Sequence, residues 1–246
     1  MKKLLSALAL IITSSSFGAE IPSTLRIATE GAYPPFNATD SNGQLIGFDV
    51  DIANALCEEM KIECKLVAQD WDGIIPALVA NKYDAIIASM SITDERKKTI
   101  DFTNKYYSNY LSIISSIAEA VSGPTGLSGK TVGAQRATLA AQWAEDNLTG
   151  KASIKLYDTQ TAAYADLSSG RLDAMVSDIY PAMDWIKTNS GFMLAGEKID
   201  VDDQIGIGIR QGQDDLKQAF NKAIEAIRTN GTYARINAKY FSADIY

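Results

Sequence analysis

Apolar and polar positions along the chain switch repeatedly between two periods. Thr24-Leu25-Arg26-Ile27-Ala28-Thr29 alternates as a strand does and runs into Glu30-Gly31-Ala32-Tyr33-Pro34-Pro35-Phe36, where a glycine and two prolines enforce a loop. Asn42-Gly43 is a hairpin-type turn. After Gly47-Phe48-Asp49 the period changes. Ile52, Leu56 and Met60 fall four apart on one face, which predicts a helix through about Cys57. Glu63 to Ala68 reads as a strand ending at Gln69-Asp70-Trp71-Asp72-Gly73. Ile74 to Ala80 reads as a helix that tolerates Pro76 early in its course, and Ala85 to Ser89 as a buried strand. Strands alternating with helices at these spacings imply right-handed crossovers and a parallel sheet of the α/β class. Ligands of such sheets gather beyond the carboxyl ends of the strands. Glu30, Tyr33, Trp71, Ser89 and Ser91 all lie just past predicted strand ends.

Thr103 to Ser112 is a tyrosine-rich extended segment, and Val121 to Gly129 turns to glycine, serine and proline. A second α/β pattern then begins at Lys130-Thr131-Val132-Gly133-Ala134. It continues with a helix over about Thr138 to Asn147, a strand over Ser153 to Tyr157, a helix over Thr161 to Ser168 and a strand at Ala174-Met175-Val176. Gln204 to Ile209 is a last apolar strand, followed by helical chain from about Asp214 to Arg228 and from Thr232 to Tyr240. The two patterns rhyme. Leu78 to Ser89 lies without gaps over Leu167 to Asp178, each reading as helix end, turn, Asp-Ala, apolar strand and polar residue. Helix-turn-strand units in general have this look. The overlay nevertheless pairs Ser89 with Asp178, one polar residue from each unit, as a cleft between two lobes requires.

The stretch Ala88-Ser89-Met90-Ser91-Ile92-Thr93-Asp94-Glu95-Arg96 follows the buried strand. Its hydroxyls and guanidinium are donors suited to a carboxylate, which arginine grips with two parallel hydrogen bonds. Equally, Thr93 could cap a short helix with Arg96 in a surface ion pair.

Charge and composition narrow the function. Lys2 and Lys3 followed by apolar Leu4 to Ile12 read as a secretory signal, with small residues at Ser16 and Gly18 for cleavage and no cysteine nearby for a lipid anchor. The formal net charge of −7 argues against a general affinity for nucleic acid. The chain has no histidine, which removes Ser-His-Asp and Cys-His catalysis. It also leaves Cys57 and Cys64 short of a usual zinc ligand set. In an exported chain those two thiols are expected to form one disulfide.

Taken together, Gly47-Phe48-Asp49-Val50-Asp51, Ser91-Ile92-Thr93-Asp94-Glu95-Arg96, Asp101-Phe102-Thr103, Gly170-Arg171-Leu172-Asp173-Ala174 and Gly231-Thr232-Tyr233 carry a resemblance along nearly the whole chain. The chain resembles the periplasmic solute-binding proteins of polar amino-acid ABC transporters, in their lysine/arginine/ornithine and opine branch. Cys57 and Cys64 fall where that branch has its disulfide. The resemblance implies a two-lobed, Venus-flytrap α/β fold. Residues 1–18 would be the signal, 19–108 with 204–246 one lobe and 109–203 the other, hinged near Tyr107–Asn109 and Asp203–Gln204.

It further implies a basic amino acid held between the lobes. Arg96, with Ser91 and the helix start at Thr138, would take the α-carboxylate. Asp178, with Ser89 and Ser91, would take the α-ammonium. Tyr33 and Trp71 would sandwich the side chain, and Glu30 would face its distal charge. With Ala88 and Met90 on the same edge, these residues form the implied ligand set. The resemblance implies no cofactor, metal or catalytic residue, a monomer in the periplasm, and a membrane permease as partner. Two departures stand out. Ala137-Thr138-Leu139 replaces a glycine and two threonines, and Ala88 replaces a serine of some relatives. Alternatives on the same fold are an opine, glutamine or histidine as ligand, or an enzyme resembling the cyclohexadienyl dehydratases.

Overall fold

The computed structural model describes residues 21–246, so the signal segment lies outside the described residues. The first half runs β1 (Thr24–Thr29), β2 (Ala32–Tyr33), β3 (Asn37–Thr39), β4 (Leu45–Ile46), α1 (Phe48–Met60), β5 (Glu63–Ala68), α2 (Trp71–Val79), β6 (Ala85–Ile86) and α3 (Asp94–Lys97). A long strand, β7 (Ile100–Ser116), leads to the second half. There β8 (Thr131–Gln135), α4 (Leu139–Leu148), β9 (Ser153–Tyr157), α5 (Gln160–Ser168), β10 (Ala174–Asp178), α6 (Ile179–Thr188) and β11 (Phe192–Leu194) follow. Another long strand, β12 (Ile199–Arg210), returns the chain to α7 (Asp214–Thr229) and α8 (Thr232–Tyr240).

In each half three strands of the main sheet pair in parallel, β5-β1-β6 in the first and β10-β8-β9 in the second, while β2, β3 and β4 form a small antiparallel sheet and β11 pairs antiparallel with β7. The long strands β12 and β7 lie between the two parallel groups and pair antiparallel with β6, with β10 and with each other. The sheet is therefore mixed, where alternation of strands and helices predicted a parallel one. β7 and β12 cross between the halves, and two crossings side by side are necessarily antiparallel.

Apolar burial divides the same way. Leu25, Phe48, Tyr107 and Ile207 share one core with α1, α7 and α8, while Leu111, Val132, Ala144 and Val176 share another with α4. Two smaller clusters cover the opposite sheet faces, one around Trp71, Leu78 and Met90 and one around Tyr164, Leu167 and Met175. The molecule thus has two lobes. Tyr180, at the start of α6 in the second lobe, packs on Phe36, Tyr107 and Phe241 of the first at centroid distances of 6.4, 6.4 and 5.4 Å.

Cys57 and Cys64 are joined by a disulfide that ties α1 to β5. Among the described residues no helix is long and apolar enough to cross a membrane. Two local expectations are corrected. Trp71 is the first residue of α2 rather than part of the loop before it, with Asp70 in an extended conformation preceding it. Strand β6 spans only Ala85–Ile86, short of the predicted end at Ser89, which adopts a left-handed φ of 52° that no strand continues through.

Candidate functional site

The carboxyl ends of β1, β6, β8 and β10 meet at one cavity between the lobes. Glu30, Tyr33, Trp71, Ala88, Ser89, Ser91 and Arg96 line it from the first lobe, and Gln135, Thr138, Leu139 and Asp178 from the second. Of the residues singled out in the sequence, the side chain of Met90 alone is packed elsewhere. It is fully buried with Trp71, Ile74 and Phe102, and its carbonyl accepts the Gly206 N–H at 3.1 Å, which moors this edge to β12.

Arg96 reaches the cavity from a helix of one turn. Thr93 caps α3, its hydroxyl accepting the Arg96 N–H at 3.2 Å. The guanidinium turns inward, away from any surface ion pair. One nitrogen donates to the Ser91 carbonyl at 2.8 Å and another to the Ala137 carbonyl across the cleft at 2.9 Å, and its carbon lies 5.3 Å from the centre of the Trp71 ring. Burial lowers its pKa to about 10, opposed by the charges of Asp203 and Asp178, so it stays cationic at neutral pH.

The carboxylates are set deeper. Glu30 is 8% exposed. It accepts a 2.7 Å hydrogen bond from the Gln135 carboxamide of the other lobe, and burial pushes it up to about 7 against that bond. Asp178 ends β10 and precedes α6 without capping it, which leaves its carboxylate free to accept from the Tyr33 hydroxyl across the cleft. Burial and the nearby charge of Asp203 raise its pKa. Asp203 faces Asn109 in the β7–β12 register and accepts from its amide at 2.7 Å. Among the described residues Asp203 Oδ1 and Asn109 Oδ1 have no partner.

Thr138 caps α4, its hydroxyl accepting the Ala141 N–H at 3.2 Å and donating to the Gln135 carbonyl at 2.7 Å. The amino end of α4, where a helix favours negative charge, therefore opens on the cavity. Ala137, just before the cap, has φ 56°, a region in which glycine is at ease and alanine is not. Its carbonyl also accepts the Trp71 indole N–H at 3.3 Å. With Arg136 bridging Asp72 and Asp158 at 3.5 and 2.7 Å, these bonds hold the lobes together around the cavity.

Sequence reasoning missed Gln135 and Leu139. Gln135 ends a strand that it predicts only as far as Ala134, and the equivalence of the two halves, extended to strand ends, would have pointed to it.

A cavity between two α/β lobes, with a guanidinium on one wall and carboxylates on both, is complementary in charge to a small zwitterion. The chain belongs to the bacterial extracellular solute-binding proteins, family 3, whose pattern it matches over residues 25–243. It is 45% identical to the L-arginine-binding protein of Pseudomonas aeruginosa over 100% of this chain and 99% of that one. It is 37% identical to the lysine/arginine/ornithine-binding periplasmic protein of Escherichia coli, with the same coverage. Among solved structures, an ancestral arginine-binding protein bound to arginine superposes with a TM-score of 0.86 at 35% identity, covering 90% of this chain and 99% of that one.

Proposed function

We propose that this protein is the arginine-binding component of an ABC importer, taking a basic amino acid into the interlobe cavity and passing it to a membrane permease. One observation carries the reading: the cavity sets one guanidinium, Arg96, against two carboxylates, Glu30 and Asp178. A basic amino acid is the mirror of that set, with one carboxylate and two cations. Arg96, Ser91 and the α4 amino end receive the α-carboxylate, and Asp178 with Ser89 and Ser91 receives the α-ammonium. Tyr33 and Trp71 flank the side chain and Glu30 meets its distal charge. Two flat rings suit a planar guanidinium better than a compact ammonium, which ranks arginine above lysine.

The charge set favours a single amino acid over an opine, which joins arginine to a second acid whose carboxylate would find, among the described residues, no cation besides Arg96 on the cavity wall. The same reading places the lobes at residues 19–108 with 204–246 and at 109–203, with export directed by a signal cleaved near residue 18. Titration calorimetry with arginine, lysine, ornithine, octopine, glutamine and histidine tests it. Arginine is expected to bind tightest, and protein that binds no basic amino acid would overturn it.

A further inference from the structure

The motif Gly47-Phe48-Asp49-Val50-Asp51 contributes nothing to the cavity wall, yet it places a carboxylate with 0% exposure inside the first lobe. Asp51 is accounted for by α8, where Lys239 and Tyr240 each donate to it at 2.7 Å. Asp49 has no such cation, for among the described residues no lysine or arginine pairs with it. A buried charge is costly unless its lone pairs are matched. Three donors match them here. Asn37 Nδ2 and Ser89 Oγ donate to one oxygen at 2.8 and 2.9 Å, and the Tyr106 hydroxyl donates to the other at 2.7 Å. The first turn of α1 adds a favourable dipole.

Each donor leads on to the cavity. Ser89 lines it in a left-handed conformation that side-chain-bearing residues rarely adopt. Its N–H donates to the Tyr106 oxygen at 3.1 Å, so the phenol hydrogen must point at Asp49. Its hydroxyl hydrogen is spent on Asp49 as well, which leaves Ser89 Oγ only lone pairs to offer, the form that receives an ammonium. Asn37, through Oδ1, accepts the Gly31 N–H at 2.8 Å and so fixes the turn that follows Glu30.

We propose that Asp49 is the positioning residue of the pocket: as an ionised, acceptor-only centre it locks Ser89 at one edge and, through Asn37, the Glu30 turn at the other. The proposal rests on the cleft being the binding site, and it makes a prediction that needs no ligand. Asp49→Asn keeps the shape but sets an amide donor against three donors. Asn37 can turn to meet it only by withdrawing its oxygen from Gly31.

Amide hydrogen exchange, read residue by residue on the ligand-free protein, tests this. In Asp49→Asn, exchange at Ser89 and Gly31 should accelerate by about tenfold or more while the β1–β5 ladder stays within about threefold of wild type. Arginine affinity should fall by about tenfold or more. Unchanged protection at both amides, or an equal rise across the whole lobe, would overturn the proposal. If Asp49→Asn does not fold, Tyr106→Phe carries the test by removing only the hydroxyl between Ser89 and Asp49. Faster exchange at Ser89 with Gly31 unmoved supports the proposal, and an unmoved Ser89 refutes it. Wild-type protein that fails to bind arginine would instead refute the functional reading, and the exchange data would still judge this one.

Discussion

Leu78 to Ser89 in the first lobe and Leu167 to Asp178 in the second are one design carried to different ends. Leu78 and Leu167 are buried, and Asn81 and Gly170 follow their helices with φ 58° and 74°. Asp84 and Asp173 then make the same pair of bonds to the neighbouring backbone. The N–H of each donates to the neighbouring strand, to the Arg26 and Thr131 carbonyls at 2.8 and 2.9 Å. Their side chains accept the N–H of the same two residues at 2.9 and 2.7 Å.

Past that point the copies part. In the second lobe β10 stays regular to Asp178 and passes directly into α6, delivering a charge into the cleft. In the first, β6 breaks after Ile86 and the chain twists through Ser89, which delivers an oriented hydroxyl held from behind by Asp49. A repeated scaffold brings both to one cavity, and the difference at the exits supplies two kinds of acceptor. The first lobe's share is fixed within that lobe, whereas the second lobe's meets its partners only when the lobes are together.

The sharpest way to break this comparison is to remove the charge from each side. Arg96→Ala and Asp178→Ala should each weaken binding of every α-amino acid by about 2–5 kcal/mol, since each leaves an opposite charge buried and unpaired. Calorimetry that finds either within threefold of wild type would remove that residue from the site. Next, Glu30→Gln should cost arginine about 1.5–3 kcal/mol, as loss of a charged hydrogen bond does, and citrulline much less. Equal losses for both would place Glu30 outside the side-chain subsite.

The pH dependence is a smaller lever with two signs. A cationic ligand favours ionised Glu30, so arginine affinity should rise with pH, by up to about tenfold per unit, until Glu30 ionises near pH 7 and then level off. Ligand-free stability runs the other way. Glu30 and Asp49 have pKa values raised to about 7 and about 6 from ordinary values of 4.5 and 3.8. Their contribution is complete below those ordinary values and is lost as pH climbs through the raised ones. Titrations from pH 5 to 8 in buffers of differing ionisation enthalpy, beside thermal melts, read both slopes, and a flat affinity profile would count against Glu30. Smallest of all, Ala137→Gly should raise the melting temperature by the equivalent of up to about 1 kcal/mol, the left-handed strain released less the entropy glycine adds to the unfolded chain.

Most of this scaffold was legible in the sequence because period and punctuation agree. β1, β5, β9 and α8 begin and end where alternation, turns and glycine place them. What escaped depends on contacts far along the chain. Nothing local says that the segments around Thr103 and Gln204 extend into strands of 17 and 12 residues, because their length is set by crossing from lobe to lobe beside each other. Trp71 reads as loop because it follows Gln69-Asp70, yet packing against Leu78 and Met90 draws it into α2. The residues of the cavity could be assembled because nearly all follow a strand end. The ones that hold them, Asn37 and Tyr106, carry no such mark, and Asp49 was visible only as part of a motif without a task.

Tyr180 gives the two lobes an aromatic contact in common. Seated among Phe36, Tyr107 and Phe241, it ties the second lobe to the first lobe's interior two residues beyond Asp178. Asp178 therefore lies two residues from a packed aromatic contact between the lobes, whereas Ala137 and the amino end of α4 meet the first lobe through single hydrogen bonds, from Arg96 at 2.9 Å and from the Trp71 indole at 3.3 Å. The acidic wall of the cavity is backed by apolar packing, and the wall that faces Arg96 by polar contacts alone.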